Sequence, residues 1–429
     1  MNDLIWWMGG SAIGIFALIF FVLYIRGTFR DRVEYKIEHL PNPEAEYFPL
    51  AIASLSNSVV TSGYCTDFWN DPDRIQRARL EAIQKARRTI HFETFFMTPG
   101  RRANDFADAI ADRAIAGVEV KLIVDDYGTS QLPKSYWQRL QNAGVKIRIF
   151  NAFNWKAPAN YAGRSHRKLL VVDGELGLVG GAGISDRWDG WPKIGDTQPW
   201  FDCEFRLEGA IVSVLEGMFL QHWTYCGGRG NLSKAMFIPH EDSENNPQFI
   251  VTPGANPSYR SSGIRALFQT AIIAARKRIW LASPYFLPDP NSRKMLVAAR
   301  NRGIDVQILT TSQRCDKQFV YYASYETYGK LLKAGIKIHQ HQPSMLHAKL
   351  LLIDDCWVST GSANFDPRSF FHNDELDFSS GDRTLVGYVQ KAFEEGFARS
   401  QTVSFSDWKA RSLEQRLMGR LVSFIQWEL

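Results

Sequence analysis

Two short stretches of this chain carry the same reactive side chains at the same spacing. SHRKLLVVDG begins at Ser165 and LHAKLLLIDD begins at Leu346. Each contains His-x-Lys followed, after four residues, by Asp: His166, Lys168 and Asp173 in the first copy, and His347, Lys349 and Asp354 in the second. Two imidazoles with pKa values near neutrality can supply a nucleophile and a proton donor without a metal. Two ammonium groups can neutralise negative charge that develops beside them.

The spacing places each histidine and lysine on one face of a β-strand. Residues two apart in a strand point to the same side, so His166 projects with Lys168, and His347 with Lys349. The apolar runs after each lysine, LLVV and LLLI, predict buried strands that end at the aspartate. At the same offset beyond each aspartate comes a turn of small residues, GGAG at 180–183 and GSAN at 361–364.

The elements around the motif also occur twice, in the same order. An amphipathic helix runs into an apolar strand in RARLEAIQKARRTI–HFETFFM and again in ALFQTAIIAARKRI–WLASPYF. Each is followed by a helix, a Gly turn and a buried strand, and then by AGVKIRIF or AGIKIHQH shortly before the motif. Strands that alternate with helices predict an α/β fold, and repetition on this scale predicts an internal duplication.

These patterns divide the chain into two homologous α/β domains with additional segments. We predict the first domain at residues 50–230, a polar linker at 231–250 and the second domain at 251–405. Residues 1–30 form an anchor, residues 31–49 a charged connector, and residues 406–429 an amphipathic C-terminal helix.

The first segment predicts a membrane anchor. LIWWMGGSAIGIFALIFFVLYI, residues 4–25, contains no charge and is long enough to cross a bilayer as a helix. A short acidic N-terminus precedes this segment, and basic residues follow it, at Arg26, Arg30, Arg32 and Lys36. This pattern favours a retained single transmembrane helix over a cleaved signal peptide, with the catalytic domains in the cytoplasm. Gly10-x-x-x-Gly14 gives weak support for self-association through this helix.

Composition excludes several classes of protein. The net charge of +5 is mild, and no Lys/Arg block marks a nucleic-acid site. The five cysteines are odd in number and form no CxxC pair, so neither a disulfide framework nor a zinc site is expected. We expect no metal and no cofactor.

With its duplicated motif, the sequence resembles the phospholipase D superfamily and its paired HKD motifs. The resemblance extends from about Ile52 to Glu375. The stretches LASPYFLPD, HAKLLLIDDCWVSTGSANFDPRSFFHNDE and FDCEFRLEG are most similar to the bacterial cardiolipin synthase branch. The resemblance implies two phospholipase D-like domains related by a pseudo-twofold axis, which bring both motifs to one shared site. It also implies a bacterial inner-membrane location.

The resemblance further implies a role for each motif residue. His166 would attack phosphorus to form a phosphohistidine, and His347 would protonate the leaving alcohol and then deprotonate the incoming one. Asp202 and Glu375 would be the carboxylate partners of the two histidines, while Asp173 and Asp354 would hold the strand ends. A solvated surface acid is the alternative for Asp202 and Glu375.

The small turns are expected to bind phosphate, through Asn364 and Ser362. In the first copy Gly183 stands where the family often has Asn. Half of the phosphate cradle is then missing, or Ser185 compensates for it.

Three activities are compatible with these residues. The first is a cardiolipin synthase, which moves a phosphatidyl group from phosphatidylglycerol to a second lipid hydroxyl and releases glycerol. The second is a phospholipase D, in which water is the acceptor and phosphatidic acid the product. The third, a nuclease, is disfavoured by the apolar anchor and the absence of basic stripes. A membrane scaffold with a decayed site is a non-enzymatic alternative, but both His and Lys pairs are intact.

The C-terminal segment permits two interpretations. Leu413, Leu417, Leu421, Phe424 and Ile425 recur at helical spacing beside Lys409, Arg416 and Arg420. Such a helix either lies on an anionic bilayer or packs on its own domain.

Overall fold

The computed structural model describes residues 35–156, 158–233, 237–238, 240, 246–255 and 262–424, together with residues 11, 13–18, 20–21 and 24. The described α-helices are α1 (Phe48–Ser56), α2 (Pro72–Lys85), α3 (Arg101–Ile115), α4 (Lys134–Asn142), α5 (Ala210–Tyr225), α6 (Gly263–Ala274), α7 (Pro290–Asn301), α8 (Gln318–Lys333), α9 (Pro367–Phe371), α10 (Arg383–Ala398), α11 (Phe405–Lys409) and α12 (Leu413–Phe424). Short 3₁₀ helices span Pro158–Ala162, Asp186–Asp189 and Pro192–Ile194.

The strands form two sheets. They are β1 (Val59–Ser62), β2 (Tyr64–Trp69), β3 (Thr89–Thr94), β4 (Glu119–Asp125), β5 (Lys146–Phe150), β6 (Lys168–Val172), β7 (Leu176–Gly180), β8 (Glu204–Glu208), β9 (Gln248–Gly254), β10 (Arg278–Ala282), β11 (Asp305–Thr311), β12 (Lys337–His341), β13 (Leu350–Ile353), β14 (Trp357–Gly361), β15 (Glu375–Ser380) and β16 (Ser400–Thr402). The seven-stranded sheet has the order β2-β8-β7-β6-β3-β4-β5, and the nine-stranded sheet has the order β1-β9-β15-β14-β13-β10-β11-β12-β16.

Seven strands of each sheet follow the same order. In each, three parallel strands (β3-β4-β5 or β10-β11-β12) continue into an antiparallel half through the strand that carries the motif, β6 or β13. The α/β repeat predicted from the sequence is therefore present in the fold. Both motif strands are fully buried, as the runs LLVV and LLLI predict.

The two halves are packed together through a common hydrophobic core. Helix α5 of the first half and helix α10 of the second supply side chains to it, including Phe219 and Phe393. Strands of both sheets contribute Phe205 and Phe378, whose ring centroids lie 5.5 Å apart in an edge-to-face arrangement. Because the halves share this layer, their motif strands are held in a fixed relation.

The start of the first predicted domain lies with the second sheet. Strand β1 pairs antiparallel with β9, and α1 packs beneath the same sheet, where the Phe48 ring lies 5.0 Å from that of Trp357. Strand β9 begins at Gln248, inside the segment assigned to the linker. Composition marks the polar linker but does not reveal which sheet an apolar segment joins.

The predicted anchor lies largely outside the described residues. Within the part of the chain that the structure describes, no helix is both long and apolar enough to cross a bilayer. The C-terminal segment forms two helices, α11 and α12, rather than one. Trp408 of α11 packs against Gly329 of α8, and Val422 of α12 is buried, so both helices pack on their own domain, whereas Leu413, Leu417 and Leu421 are 82%, 61% and 59% exposed.

Candidate active site

Each motif histidine lies just before its strand, where the chain pairs with the other half of the molecule. The His166 N–H donates to the carbonyl of Asp374 at 2.8 Å, and the His347 N–H donates to the carbonyl of Phe201 at 2.7 Å. Residues 374 and 201 directly precede Glu375 and Asp202. This backbone pairing brings the carboxylate of each half to the histidine of the other.

The side chains of the histidines and carboxylates also pair between the two halves. His166 Nδ1 lies 3.0 Å from both carboxylate oxygens of Glu375, and His347 Nδ1 lies 2.8 Å from Asp202 Oδ2. Both carboxylates are fully buried, whereas the two histidines remain 7% and 8% exposed. Both predicted carboxylates thus contact a motif histidine and are not solvated surface acids. The sequence did not predict that the pairs cross between the halves.

The two carboxylates have different surroundings. Glu375 Oε2 accepts from the Ser362 hydroxyl at 2.5 Å. Asp202 accepts from the indole N–H of Trp188 at 2.9 Å and from the backbone N–H of Cys203 at 2.9 Å. These bonds fix the carboxylates, and the carboxylates in turn orient the imidazole rings.

The motif lysines are buried beside the histidines. Lys168 Nζ donates to the carbonyl of His166 at 2.5 Å, and Lys349 Nζ donates to the carbonyl of His347. The Lys349 ammonium also lies 3.1 Å from His347 Nδ1. Burial, opposed in part by Glu375, lowers the pKa of Lys168 to about 7, and burial lowers the pKa of Lys349 to about 8. An anionic ligand would raise both values, because it stabilises the ammonium form.

Burial and the neighbouring ammonium groups favour the neutral form of both imidazoles. Burial, Lys168 and Lys349 hold the pKa of His166 well below its usual range. Burial and Lys349 lower the pKa of His347 to about 4, although Asp202 opposes this shift. A neutral imidazole with its proton on Nδ1 leaves the Nε2 lone pair free to attack an electrophile.

The two carboxylates titrate differently. Burial raises the pKa of Glu375 to about 7. Burial also opposes ionisation of Asp202, but His347 and Lys349 outweigh it and lower the pKa of Asp202 to about 2. Asp202 is therefore a permanent anion that can stabilise a protonated His347, whereas Glu375 supports a neutral His166 more readily than a protonated one.

The motif aspartates lie away from these side chains, at the far end of each strand. Asp173 accepts the backbone N–H groups of Arg87, Arg88 and Thr89 at 2.7–2.9 Å. Asp354 accepts those of residues 276, 277 and 278 at 2.7–2.8 Å. Both aspartates adopt positive φ, 56° and 52°. They hold the turn that precedes the neighbouring strand.

The two small turns are not equivalent as phosphate sites. A Cβ at Gly183 would lie 2.7 Å from the carbonyl oxygen of Phe96, so an asparagine does not fit there. The Ser185 hydroxyl, the alternative ligand on this side, is 2.5 Å from that of Thr98. In the second copy, Asn364 is buried, and its Oδ1 has no hydrogen-bond partner among the described residues.

The expectation that Ser362 donates to phosphate is corrected by the structure. Its hydroxyl proton is directed to Glu375 Oε2, and its oxygen accepts the Leu376 N–H at 2.9 Å. The hydroxyl therefore has no proton left for a ligand. Ser362 holds the partner of His166 instead.

Aromatic rings that the sequence analysis missed enclose both histidines. The Phe95 ring lies 5.1 Å from His166 and 5.4 Å from Lys168 Nζ. Trp188 and Trp200 lie 5.2 and 5.8 Å from His347. Phe95 directly follows β3, the neighbour of the motif strand. The repeat includes this strand, so it was a sequence signal that Phe95 lies near the motif. The two tryptophans lie in an irregular segment with no counterpart pattern in the second copy.

The described residues contain no group of three or more His, Cys, Asp or Glu side chains placed to hold a metal ion. The assembled groups are two His–carboxylate pairs and two lysines within one buried site that both halves build. Such a set can exchange a phosphoryl substituent through a covalent histidine intermediate.

Comparison with known proteins agrees with this arrangement. A family model described as "Cardiolipin synthase, PLD-like domain" matches residues 80–188 and 268–396, once in each half. A cardiolipin synthase of Geobacillus sp. (strain WCH70) is 30% identical over 92% of this chain and 79% of its own length. One from Alkalihalophilus pseudofirmus is 32% identical over 80% of this chain and 69% of its own length.

A solved structure shows the same fold. The phosphatidylserine synthase of Haemophilus influenzae Rd KW20 superposes with a TM-score of 0.69 over 89% of this chain and 99% of its own, at 12% identity. At that identity the likeness concerns the fold alone. The two matches of the family model and the relatives at 30% identity and above establish the family: this chain belongs to the PLD-like domain family of cardiolipin synthases.

Proposed function

We propose that the chain is a phosphatidyltransferase of the cardiolipin synthase type. It would move a phosphatidyl group from phosphatidylglycerol to the hydroxyl of a second lipid and release glycerol. The observation that carries the proposal is the exchanged pairing, His166 with Glu375 and His347 with Asp202, beside two buried lysines. The relatives that align over most of the chain bear the name cardiolipin synthase, which supports the lipid substrate.

In the first step, the Nε2 lone pair of His166 attacks the phosphorus of phosphatidylglycerol. A P–N bond forms while the bond from phosphorus to the glycerol oxygen breaks. His347 gives its proton to that oxygen, so glycerol leaves as a neutral alcohol. Glu375 holds the Nδ1 proton of His166 throughout, which keeps Nε2 available for attack.

In the second step, the hydroxyl of another lipid attacks the phosphohistidine. His347, now neutral, removes the hydroxyl proton as the P–O bond forms and the P–N bond breaks. His166 is restored as a neutral imidazole. The enzyme ends with the protons it started with, because the proton given to glycerol is recovered from the acceptor.

The charges of the site suit both steps. Lys168 and Lys349 would neutralise the non-bridging oxygens as phosphorus becomes pentacoordinate, and Asn364 would donate a further hydrogen bond. Burial and the lysine charges lower the pKa of His347, and the anionic phosphodiester would offset the lysine charges. The ionised Asp202 then favours the protonated form of His347 that the leaving group requires.

A pseudo-twofold relation between the halves would account for the exchange of carboxylates. It would also explain why the roles need not be equal: the halves differ at Gly183 and Asn364, and in the pKa values of Glu375 and Asp202. We assign the nucleophile to His166, as the resemblance to the phospholipase D superfamily implies.

We also propose a single-pass location in the bacterial inner membrane, with residues 4–25 as the span and both catalytic halves in the cytoplasm. The charge-free segment followed by basic residues supports this topology. Self-association through Gly10 and Gly14 belongs to the same proposal. A reporter fused to the C-terminus would test it: cytoplasmic activity of the reporter supports the topology, and periplasmic activity contradicts it.

Product analysis tests the activity. The full chain is incubated with phosphatidylglycerol vesicles, with His166→Ala as the control, and the lipids are resolved. Cardiolipin and released glycerol, both absent in the control, are expected. Phosphatidic acid alone would mean that water is the acceptor and the protein is a phospholipase D. No turnover of phospholipid would contradict both and favour a nuclease or a scaffold.

A further inference from the structure

Strand β3 and helix α5 are joined by two reciprocal pairs of histidine and carboxylate. His91 on β3 lies 2.5 Å from Glu216 on α5, and Glu93 on β3 lies 2.6 Å from His222 on α5. All four side chains are nearly or fully buried. The pairs use the same residue types on the same two elements, in opposite order.

Only the second pair reaches the active site. Glu93 Oε1 also accepts from the Ser165 hydroxyl at 2.5 Å, and His222 Nε2 forms an ion pair with Asp374 Oδ2 at 3.2 Å. Ser165 precedes His166, and Asp374 precedes Glu375. The pair therefore forms a continuous bridge, Ser165–Glu93–His222–Asp374, from the nucleophile's segment in one half to its partner's segment in the other.

The bridge spans the backbone pairing that aligns His166 with Glu375. The Asp374 N–H donates to the carbonyl of Arg164 at 2.8 Å, and the Asp374 carbonyl accepts the His166 N–H at 2.8 Å. His222 thus fixes the side chain of the residue whose peptide group already holds His166. Neither His222 nor Glu93 contacts His166 itself in the described hydrogen bonds.

The charges around His222 favour its protonated form. Burial and Arg167 oppose protonation, but Glu93 and Asp374 outweigh them and raise the pKa of His222. In turn His222 and Arg167, together with the Ser165 hydrogen bond, lower the pKa of Glu93 against the effect of burial. An imidazolium donates from both nitrogens, so it can hold two carboxylates at once.

We propose that His222 is a positioning residue for the transfer reaction: it ties Glu93 of the first half to Asp374 of the second and so keeps His166 aligned with Glu375. The inference rests on the proposed function, because alignment matters only if His166 attacks phosphorus. His91 and Glu216, which do not reach the second half, hold β3 to α5 and serve stability alone.

The matched pairs supply their own control. Glu93→Gln with His222→Gln removes the opposite charges of Glu93 and His222 together and releases Asp374 from His222. His91→Gln with Glu216→Gln makes the same changes on the same strand and helix. Both double variants should lose similar thermal stability. The first should lower kcat about 10²-fold, since a small misplacement of a reacting group costs this much, with little change in KM because the motif lysines are intact.

The rate of attack by His166 is best measured with a phosphatidyl ester of p-nitrophenol. Its leaving group needs no proton, and its burst reports formation of the phosphohistidine whatever the acceptor. A slow burst in the Glu93/His222 variant and a normal burst in the His91/Glu216 variant support the inference. Equal bursts in the two variants overturn it.

A milder variant covers the case in which the double variant fails to fold. Ser165→Ala removes only the hydroxyl that ties Glu93 to the nucleophile's segment, and should slow the burst about tenfold, the worth of one hydrogen bond to a charged group. A folded Ser165→Ala protein with an unchanged burst contradicts the inference. If the wild-type protein gives neither a burst nor cardiolipin, the proposed function itself is wrong.

Discussion

The exchanged carboxylates predict that Glu375 acts through His166 and Asp202 through His347, in each case the histidine of the other half. Glu375→Gln keeps the size of the side chain and removes its charge. The Ser362 hydroxyl and the Asn373 amide both donate toward the Glu375 oxygens, at 2.5 and 3.5 Å. An amide nitrogen in place of either oxygen would face a donor, so the variant no longer fixes the tautomer of His166.

The size of the effect follows from the bond that is lost. A hydrogen bond to a charged group contributes about 1.5–3 kcal/mol, and each 1.36 kcal/mol corresponds to a factor of about ten in rate. Because Glu375 is fully buried, solvent screening does not reduce this figure. Above a pH of about 7, where the Glu375 carboxyl is ionised, we expect attack by His166 to slow about 10- to 100-fold.

The p-nitrophenyl ester separates the two carboxylates. Attack on it needs the nucleophile but no acid, whereas the second step needs His347 as a base. Glu375→Gln should therefore slow the burst. Asp202→Asn should leave a full burst and slow the steady-state rate that follows it, because Asp202 supports only His347.

The opposite pattern would refute the reasoning. If Asp202→Asn slowed the burst and Glu375→Gln did not, either each carboxylate would serve the histidine of its own half or His347 would be the nucleophile. Mapping the phosphorylated histidine in the wild-type protein separates these two cases.

Three further predictions concern pH, the motif aspartates and the small turn. The value of kcat/KM for phosphatidylglycerol should fall as pH rises through about 7 and about 8, because Lys168 and Lys349, with lowered pKa values, lose the protons that attract the phosphate. Calorimetry in buffers of different ionisation enthalpy should show proton uptake when the lipid binds, and the absence of proton uptake at high pH would contradict the prediction. Asp354→Ala should lower the free energy of unfolding, measured by denaturant unfolding, by about 3 kcal/mol, about 1 for each of three backbone bonds. Well below its melting temperature the variant should keep its kcat, and a loss of kcat in the folded protein would show that the aspartate acts in catalysis. Gly183→Asn should lower the free energy of unfolding by about 1–3 kcal/mol through overpacking against Phe96, and it should not raise activity. Higher turnover would show that the turn can open to hold a phosphate.

The repeat and the motif residues were predictable because they are local patterns. His-x-Lys lies on one strand face, LLVV and LLLI mark buried strands, and the order of helices and strands recurs along the chain. Each of these signals lies within a short window of sequence. The role of Asp173 and Asp354 at the strand ends likewise follows from their position.

The exchange of carboxylates was not predictable in this way. His166 and Glu375 are 209 residues apart, and His347 and Asp202 are 145 apart. Matched positions downstream of each motif identify both carboxylates as partners, but only the docking of the halves decides which histidine each one contacts. The joining of α1 and β1 to the second sheet and the bridge through His222 were missed for the same reason.

Gly183 shows a third case, in which the sequence raises a question that packing answers. The departure from Asn is visible along the chain. Its cause, the approach of the Phe96 carbonyl and the Trp188 ring, requires the fold. In the second-half turn, Ser369 and Ser283 accept the backbone N–H groups of Asn364 and Phe365, and the Asn364 Oδ1 has no hydrogen-bond partner among the described residues.

We propose above that one site, built by both halves, transfers a phosphatidyl group through His166. Trapping the intermediate tests it most directly. The Asp202→Asn protein is mixed with the phosphatidyl ester of p-nitrophenol, for which only the second step is slowed, then quenched under basic conditions and digested for mass spectrometry. We predict a phosphatidyl group on His166. Cardiolipin formation by the wild-type protein with the label on His347, or with no labelled histidine, would contradict the account.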